Sequence, residues 1–186
     1  MNRTKEAIVN AFWELLEEKP YNKITVKDIV DRCQINRNTF YYHFHDIPEL
    51  LESIIKKDAD SVVQNYAGFN SLPECLSTII EHSLKRKKAV LHIYRSVQRE
   101  VFLDQLERMA TYVVTEYIHT LTKEIQVPED DLRLLIRFYK CILVGVILDW
   151  LDHGMDYNLE KDFVRLSELF QGEGKQIFLK STTFLP

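Results

Sequence analysis

A chain of 186 residues has room for one large or two small domains with an ample core. Glycine and proline are scarce, at five each, and the long stretches of 3.6-residue periodicity point to an all-α fold. No apolar run approaches the roughly eighteen residues of a membrane span. The start, Met1-Asn2-Arg3-Thr4-Lys5-Glu6, lacks the apolar centre of a signal peptide. Three cysteines (Cys33, Cys75, Cys141) without metal-like spacing fit free thiols in a reducing cytoplasm. The net charge of −4 excludes a uniformly basic nucleic-acid binder, so any such contact must be local.

The first helix is expected from near Arg3 to Glu18, with Ala7, Ile8, Ala11, Phe12, Leu15 and Leu16 as its apolar stripe. Arg3 and Lys5 precede the stripe and could reach DNA as an arm. Lys19-Pro20 stops the helix, and Tyr21-Asn22-Lys23 leads on. Thr25, with Asp28 three positions later, forms the acidic variant of a capping box before Val26, Ile29 and Val30. That second helix ends near Arg32, because Asn36 caps a third. On the third, Phe40 and Phe44 share one face, while Arg37, Asn38, Tyr41 and Tyr42 lie off it, with His43 and His45 near the end.

Two short helices with a tight link are the pattern of a helix-turn-helix, whose second helix enters the major groove. Arg37 and Asn38 can read G and A edges bidentately. Thr39, the tyrosines and the histidines can reach phosphates or base edges. Adjacent tyrosines lie about 100° apart on a helix, so Tyr41 and Tyr42 cannot both serve one core. Residues 19–45 carry five basic against two acidic residues, a local +3 before either histidine is counted.

From Pro48 a longer helix runs through Leu51, Ile54, Ile55, Ala59, Val62 and Val63 to about Tyr66, and Gly68 to Pro73 breaks it. Further helices are expected over 73–88, 89–96, 98–125, Glu129–His153 and Leu159–Phe170. The first of these ends in Lys85-Arg86-Lys87-Lys88, which suits a solvated helix C-terminus. The 129–153 helix is apolar around much of its circumference and carries Gly145, a cost that close approach of another helix would offset.

The string Ile24-Thr25-Val26 … Asn36-Arg37-Asn38-Thr39-Phe40-Tyr41-Tyr42-His43-Phe44 … Glu49-Leu50-Leu51 resembles the DNA-binding signature of the TetR family of bacterial transcriptional regulators. The resemblance covers about the first 55 residues. It implies a three-helix DNA-binding domain with Thr25, Lys27, Asn36, Arg37, Asn38, Thr39, Tyr41, Tyr42 and His43 at the DNA. Two positions depart from the pattern: Gln34 stands where the family has glycine, and Ile47-Pro48 where it often has a phosphate-binding lysine. The later pattern Gly145 … Trp150 … Gly154 is similar to a C-terminal domain common in Firmicutes members, including regulators of dihydroxyacetone kinase operons.

The resemblance implies residues 1–47 as the DNA-binding domain, 48–67 as a connector helix and 68–186 as a helical effector-binding and dimerisation domain. It places Tyr94, Tyr112, Phe138 and Cys141 as candidates for an effector pocket. Gly145, Leu148, Trp150, Phe163, Leu166 and Phe170 are candidates for a homodimer interface. Asp149, Asp152 and His153 could share a face, but no fourth ligand is near, so no metal is expected. No phosphate loop or nucleophile elbow occurs, so neither an enzyme nor a cofactor is expected. The expected function is a cytoplasmic, dimeric repressor that binds pseudo-palindromic double-stranded DNA and is released by a small-molecule effector. The alternative is a regulator or activator controlled by a protein partner.

Overall fold

The computed structural model describes residues 3–65, 72–123 and 126–169. Among them are nine α-helices and one 3₁₀ turn. In order these are α1 (Arg3–Glu18), the 3₁₀ turn (Tyr21–Lys23), α2 (Val26–Cys33), α3 (Arg37–His43), α4 (Ile47–Asn65) and α5 (Leu72–Lys85). They are followed by α6 (Lys87–Tyr94), α7 (Arg99–Thr122), α8 (Glu129–Asp152) and α9 (Leu159–Leu169). The all-α fold follows from the periodicity, and no helix among the described residues is long and apolar enough to cross a membrane. Phe170 and the tail after it lie outside the described residues.

Two compact units are present. The first comprises Met1–Ser61 with Ser83–Gln105, and the second Val62–His82 with Leu106–Pro186, so the division falls within α4, α5 and α7. The core of the first unit is built by the stripes read from the sequence: Ile8, Phe12 and Leu16 of α1, Ile29 of α2, Phe40 of α3, and Leu50 and Leu51 of α4. Ala89 and Ile93 of α6 belong to the same core. That membership is not visible in the local pattern of α6, because the contact closes over more than seventy residues of chain.

Three links hold α6 to α1. The His92 ring nitrogen Nδ1 lies 2.7 Å from the Leu16 carbonyl. The Ala89 N–H donates to Glu17 Oε1 at 3.4 Å. Arg86 lies over the Trp13 ring, 4.5 Å from its centroid. The basic run at 85–88 therefore lies where α5 ends and α6 begins, and its Arg86 packs an aromatic face. Lys5 is likewise not an arm: it lies within α1, half-buried, with Nζ 5.1 Å above the Phe44 ring.

In the second unit Leu76 and Ile80 of α5 are buried, as are Leu106, Ala110, Val113, Val114 and Ile118 of α7. Leu143, Trp150 and Leu151 of α8, Met155 and Leu159 are buried too. The end of α8 is a Schellman turn: Gly154 N–H donates to Leu151 O and Met155 N–H to Trp150 O. Gly154 and Met155 both have positive φ, at 70° and 57°. A glycine at the first position avoids the Cβ penalty, and the buried Met155 side chain compensates at the second.

Candidate nucleic-acid interface

The two short helices are fixed by their ends. Thr25 Oγ1 accepts from the Asp28 N–H at 3.2 Å, and Asp28 Oδ2 accepts from the Thr25 N–H at 2.8 Å, a reciprocal capping box. The Thr25 hydroxyl and the Lys19 ammonium also donate to that carboxylate. These bonds hold Asp28 down at about 2, the Thr25 hydroxyl contributing most. α2 ends at Gln34, whose φ of 56° is left-handed. Its N–H donates to Asp31 O, and the next N–H, of Ile35, donates to Val30 O, again the Schellman pattern. Gln34 adopts the glycine conformation and bears its cost, while the half-buried Ile35 packs on the head core.

Asn36 then opens α3: its Oδ1 accepts from the Thr39 N–H at 2.8 Å and from the Thr39 hydroxyl at 3.0 Å. Asn36 is thus a cap first. Phe40 is fully buried and Phe44 nearly so, with ring centroids 6.0 Å apart. With those two side chains inward, the rest of α3 turns outward. Arg37 and Asn38 are exposed, Tyr41 is 54% exposed and Tyr42 83% exposed. The half-buried His43 ring meets the Tyr42 ring edge-on at 5.0 Å. Thr25 and Lys27, at the start of α2, are exposed as well. A tyrosine 83% exposed on a seven-residue helix serves no core of its own chain.

The basic patch is narrower than residue counting suggests. Arg32 is held by Glu18 at 2.8 Å and Glu14 at 3.2 Å, and Lys19 by Asp28 at 2.9 Å. The Arg32 pairs tie α1 to α2, and Lys23, Lys27 and Arg37 remain exposed cations of this segment. The start of α4 has its own carboxylate caps: Asp46 Oδ1 accepts from the Glu49 N–H at 2.8 Å, and Glu49 accepts from the His45 N–H. Pro48 sits in the first turn, where its missing N–H costs nothing.

The other candidate residues are distributed as follows. Tyr94 is buried in the first unit, its hydroxyl accepting from Arg99 at 2.7 Å. In the second unit Tyr112 is half-buried on α7, whereas Phe138 and Cys141 are exposed on α8. Of the dimer candidates, Gly145 and Leu166 are exposed and Leu148 and Phe163 half-buried. Trp150 is 3% exposed and its Nε1–H donates to the Tyr157 carbonyl at 3.0 Å, so it braces the α8–α9 turn within its own chain. Asp149 and His153 do the same. The Tyr157 hydroxyl donates to Asp149 Oδ2 at 2.8 Å, and His153 Nδ1 lies 2.8 Å from the Asp149 carbonyl. Burial, with that carboxylate, pushes Tyr157 up to about 12. Among the described residues no group of three or more His, Cys, Asp or Glu side chains could hold a metal ion.

Two short helices capped by Thr25 and Asn36, tied by a left-handed residue and presenting one polar helix face outward, define a helix-turn-helix protein. Residues 5–54 match the model for bacterial regulatory proteins of the tetR family, and residues 70–172 match that for a transcriptional regulator C-terminal region of TetR type. The chain belongs to the TetR family of bacterial transcriptional regulators, and it is a regulator rather than an enzyme. It is similar to the uncharacterized HTH-type transcriptional regulator YxbF of Bacillus subtilis, 28% identical over 161 residues, covering 82% of this chain and 40% of that protein. It is also similar to DhaS of Lactococcus lactis, the dhaKLM operon transcriptional activator, 32% identical over 66 residues, covering 36% of this chain and 35% of that protein. The chain thus matches well under half the length of either curated relative. The solved structure of the dihydroxyacetone kinase operon activator DhaS superposes with a TM-score of 0.78 at 20% identity, covering 94% of this chain and 97% of that one. The transcriptional regulator FadR of Bacillus subtilis, solved in complex with stearoyl-CoA, superposes with a TM-score of 0.61 at 17% identity, covering 90% of this chain and 97% of that one. These two structural likenesses establish the fold.

Proposed function

We propose that the chain acts as a homodimer that binds a pseudo-palindromic operator in the cytoplasm, and that it represses until a small-molecule effector releases it. The observation that carries this reading is the outward face of α3, where Arg37, Asn38, Tyr41 and Tyr42 are exposed while Phe40 and Phe44 anchor the helix. Arg37 and Asn38 read base edges, and Thr25, Lys27, Thr39, Tyr42 and His43 hold phosphates. Asn36 acts through the cap that positions them. A dimer places two such helices about 34–36 Å apart, one helical turn of DNA, and doubles the contact area of a small head. In this division of labour residues 1–47 read DNA, 48–67 connect, and 68–186 dimerise and take the effector. Release requires an effector with different affinities for two head spacings.

A second reading is favoured by one observation, the cover of 94% of the chain by the fold of DhaS, an operon activator. Under it the chain activates, and a protein partner takes the place of the small molecule. Phe138 and Cys141, being exposed, suit a docking face better than a cavity wall.

Selection of sequences from a random double-stranded DNA pool, at two salt concentrations, tests the primary reading. Recovery of a two-fold-symmetric motif with half-sites about one helical turn apart supports it. Recovery of nothing above nonspecific background, by a protein shown to be folded, overturns autonomous operator binding.

A further inference from the structure

Lys5 stands on the core-facing stripe of α1. It precedes Ile8 by three residues and Phe12 by seven, both fully buried, so all three share one side of that helix. An apolar residue is the ordinary choice there. Lys5 also belongs to the first turn of α1, where the positive end of the helix dipole disfavours a cation. A lysine so placed ordinarily sends its ammonium out to water and leaves only its stem on the core. Here Nζ lies over the Phe44 ring, 5.1 Å from its centroid. Lys19 and Arg32, by contrast, are held by carboxylates. The attraction of a cation to a ring face offsets both costs of the position.

Phe44 is the residue at which α3 ends. The near end of α3 is fixed by the Asn36 cap and by the Schellman turn at Gln34 and Ile35. At the far end the cap donates one backbone bond, from the Phe44 N–H to the Phe40 carbonyl at 3.0 Å, and Phe44 itself is extended. Beyond that bond the far end rests on the Phe44 ring, which meets Phe40 at 6.0 Å and Lys5 at 5.1 Å. With seven residues α3 is about 10 Å long, so a shift of about 1 Å at Phe44 tilts the helix by about 6°. Such a tilt moves Tyr41 and Tyr42, next to Phe44, more than Arg37 at the near end.

We infer that Lys5 is a positioning residue for DNA recognition: its ammonium holds the Phe44 ring and so sets the far end of α3, without itself touching a phosphate. The inference rests on the reading of α3 as the helix that contacts DNA, and adds the group on α1 that holds it in place.

Amide hydrogen exchange of the full-length protein without DNA, resolved by residue with NMR, reads the tie directly. Lys5→Gln keeps most of the stem and removes the charge. It is expected to speed exchange at the Phe44 amide about three- to tenfold and to leave the Ile35 amide, at the near end, unchanged. Lys5→Arg, which also stacks on rings, is expected to restore the wild-type rate. Equal acceleration at both amides, none at Phe44, or no restoration by arginine overturns the inference. Affinity for the operator recovered from the random pool, measured well below the melting temperature, reads the consequence. Lys5→Gln is expected to weaken it about three- to tenfold with an unaltered slope of log affinity against log salt. A slope flattened by about 0.9 for each head makes Lys5 a phosphate contact and overturns the positioning role. Unchanged affinity overturns it too. A wild type that selects no operator sinks the reading of α3 instead, and the exchange comparison then decides by itself whether Lys5 holds that helix.

Discussion

Tyr42 and Phe40 sit two residues apart on α3 and answer to different physics. Tyr42 is 83% exposed, so Tyr42→Ala removes no core contact. A hydrogen bond to a charged partner contributes about 1.5–3 kcal/mol, so operator affinity measured by fluorescence anisotropy should fall at least tenfold while helical content stays constant. Phe40 is fully buried, and Phe40→Ala should cost about 3–5 kcal/mol, enough to lower the melting temperature sharply and abolish binding through loss of the head. Asp28 supplies a pH signature. Its folded-state value lies at about 2, below the usual 3.8, so the stabilisation it brings is complete above 3.8 and disappears as pH falls toward about 2. Asp28→Asn should therefore lower the melting temperature at pH 7, and the gap to wild type should close over that interval. A gap independent of pH would mean that the carboxylate charge is irrelevant to the cap.

At the scale of elements, most boundaries were legible because they are local. Thr25 and Asn36 announce the starts of α2 and α3 within three residues of the groups they cap. Gln34 announced a strained turn by being the wrong residue for it, and the structure holds it at φ 56°. Gln34→Gly should raise stability by about 0.5–1 kcal/mol, readable in urea unfolding, because the left-handed penalty exceeds the entropic cost of glycine. The role of α6 was illegible. Its apolar residues indicate a buried face but not whose core it joins, since that is settled by contacts with α1 far back in the chain. Ile93 is 2% exposed in the head core, so Ile93→Ala should cost about 2–5 kcal/mol and weaken DNA binding although it lies fifty residues beyond α3. Trp150 shows the same limit of a local pattern. An aromatic in an apolar helix marks burial, and the sequence does not say whether its own chain or another one buries it.

For the whole molecule, net charge and local charge pull apart. The chain carries −4, yet Lys23, Lys27 and Arg37 stand exposed between residues 23 and 37 after Lys19 and Arg32 are engaged by carboxylates. Affinity for DNA should fall steeply with salt. Lys27→Ala should weaken binding across sequences and flatten the slope of log affinity against log salt by about 2, one phosphate equivalent for each head of a dimer. An unchanged slope with weakened binding would remove Lys27 from the phosphate contacts.

The order in which the chain is made bears on when it can act. The helices α1 to α4 precede α6 in the chain, but Ala89 and Ile93 complete the head core. At roughly 5–20 residues per second the stretch from Ile54 to Ile93 takes about 2–8 s to translate. During that interval the nascent head has α3 but not its last layer of packing, and the side of α1 that α6 covers stays open to solvent. A head assembled this way gains its complete core only once α6 has left the ribosome, well after α3 has.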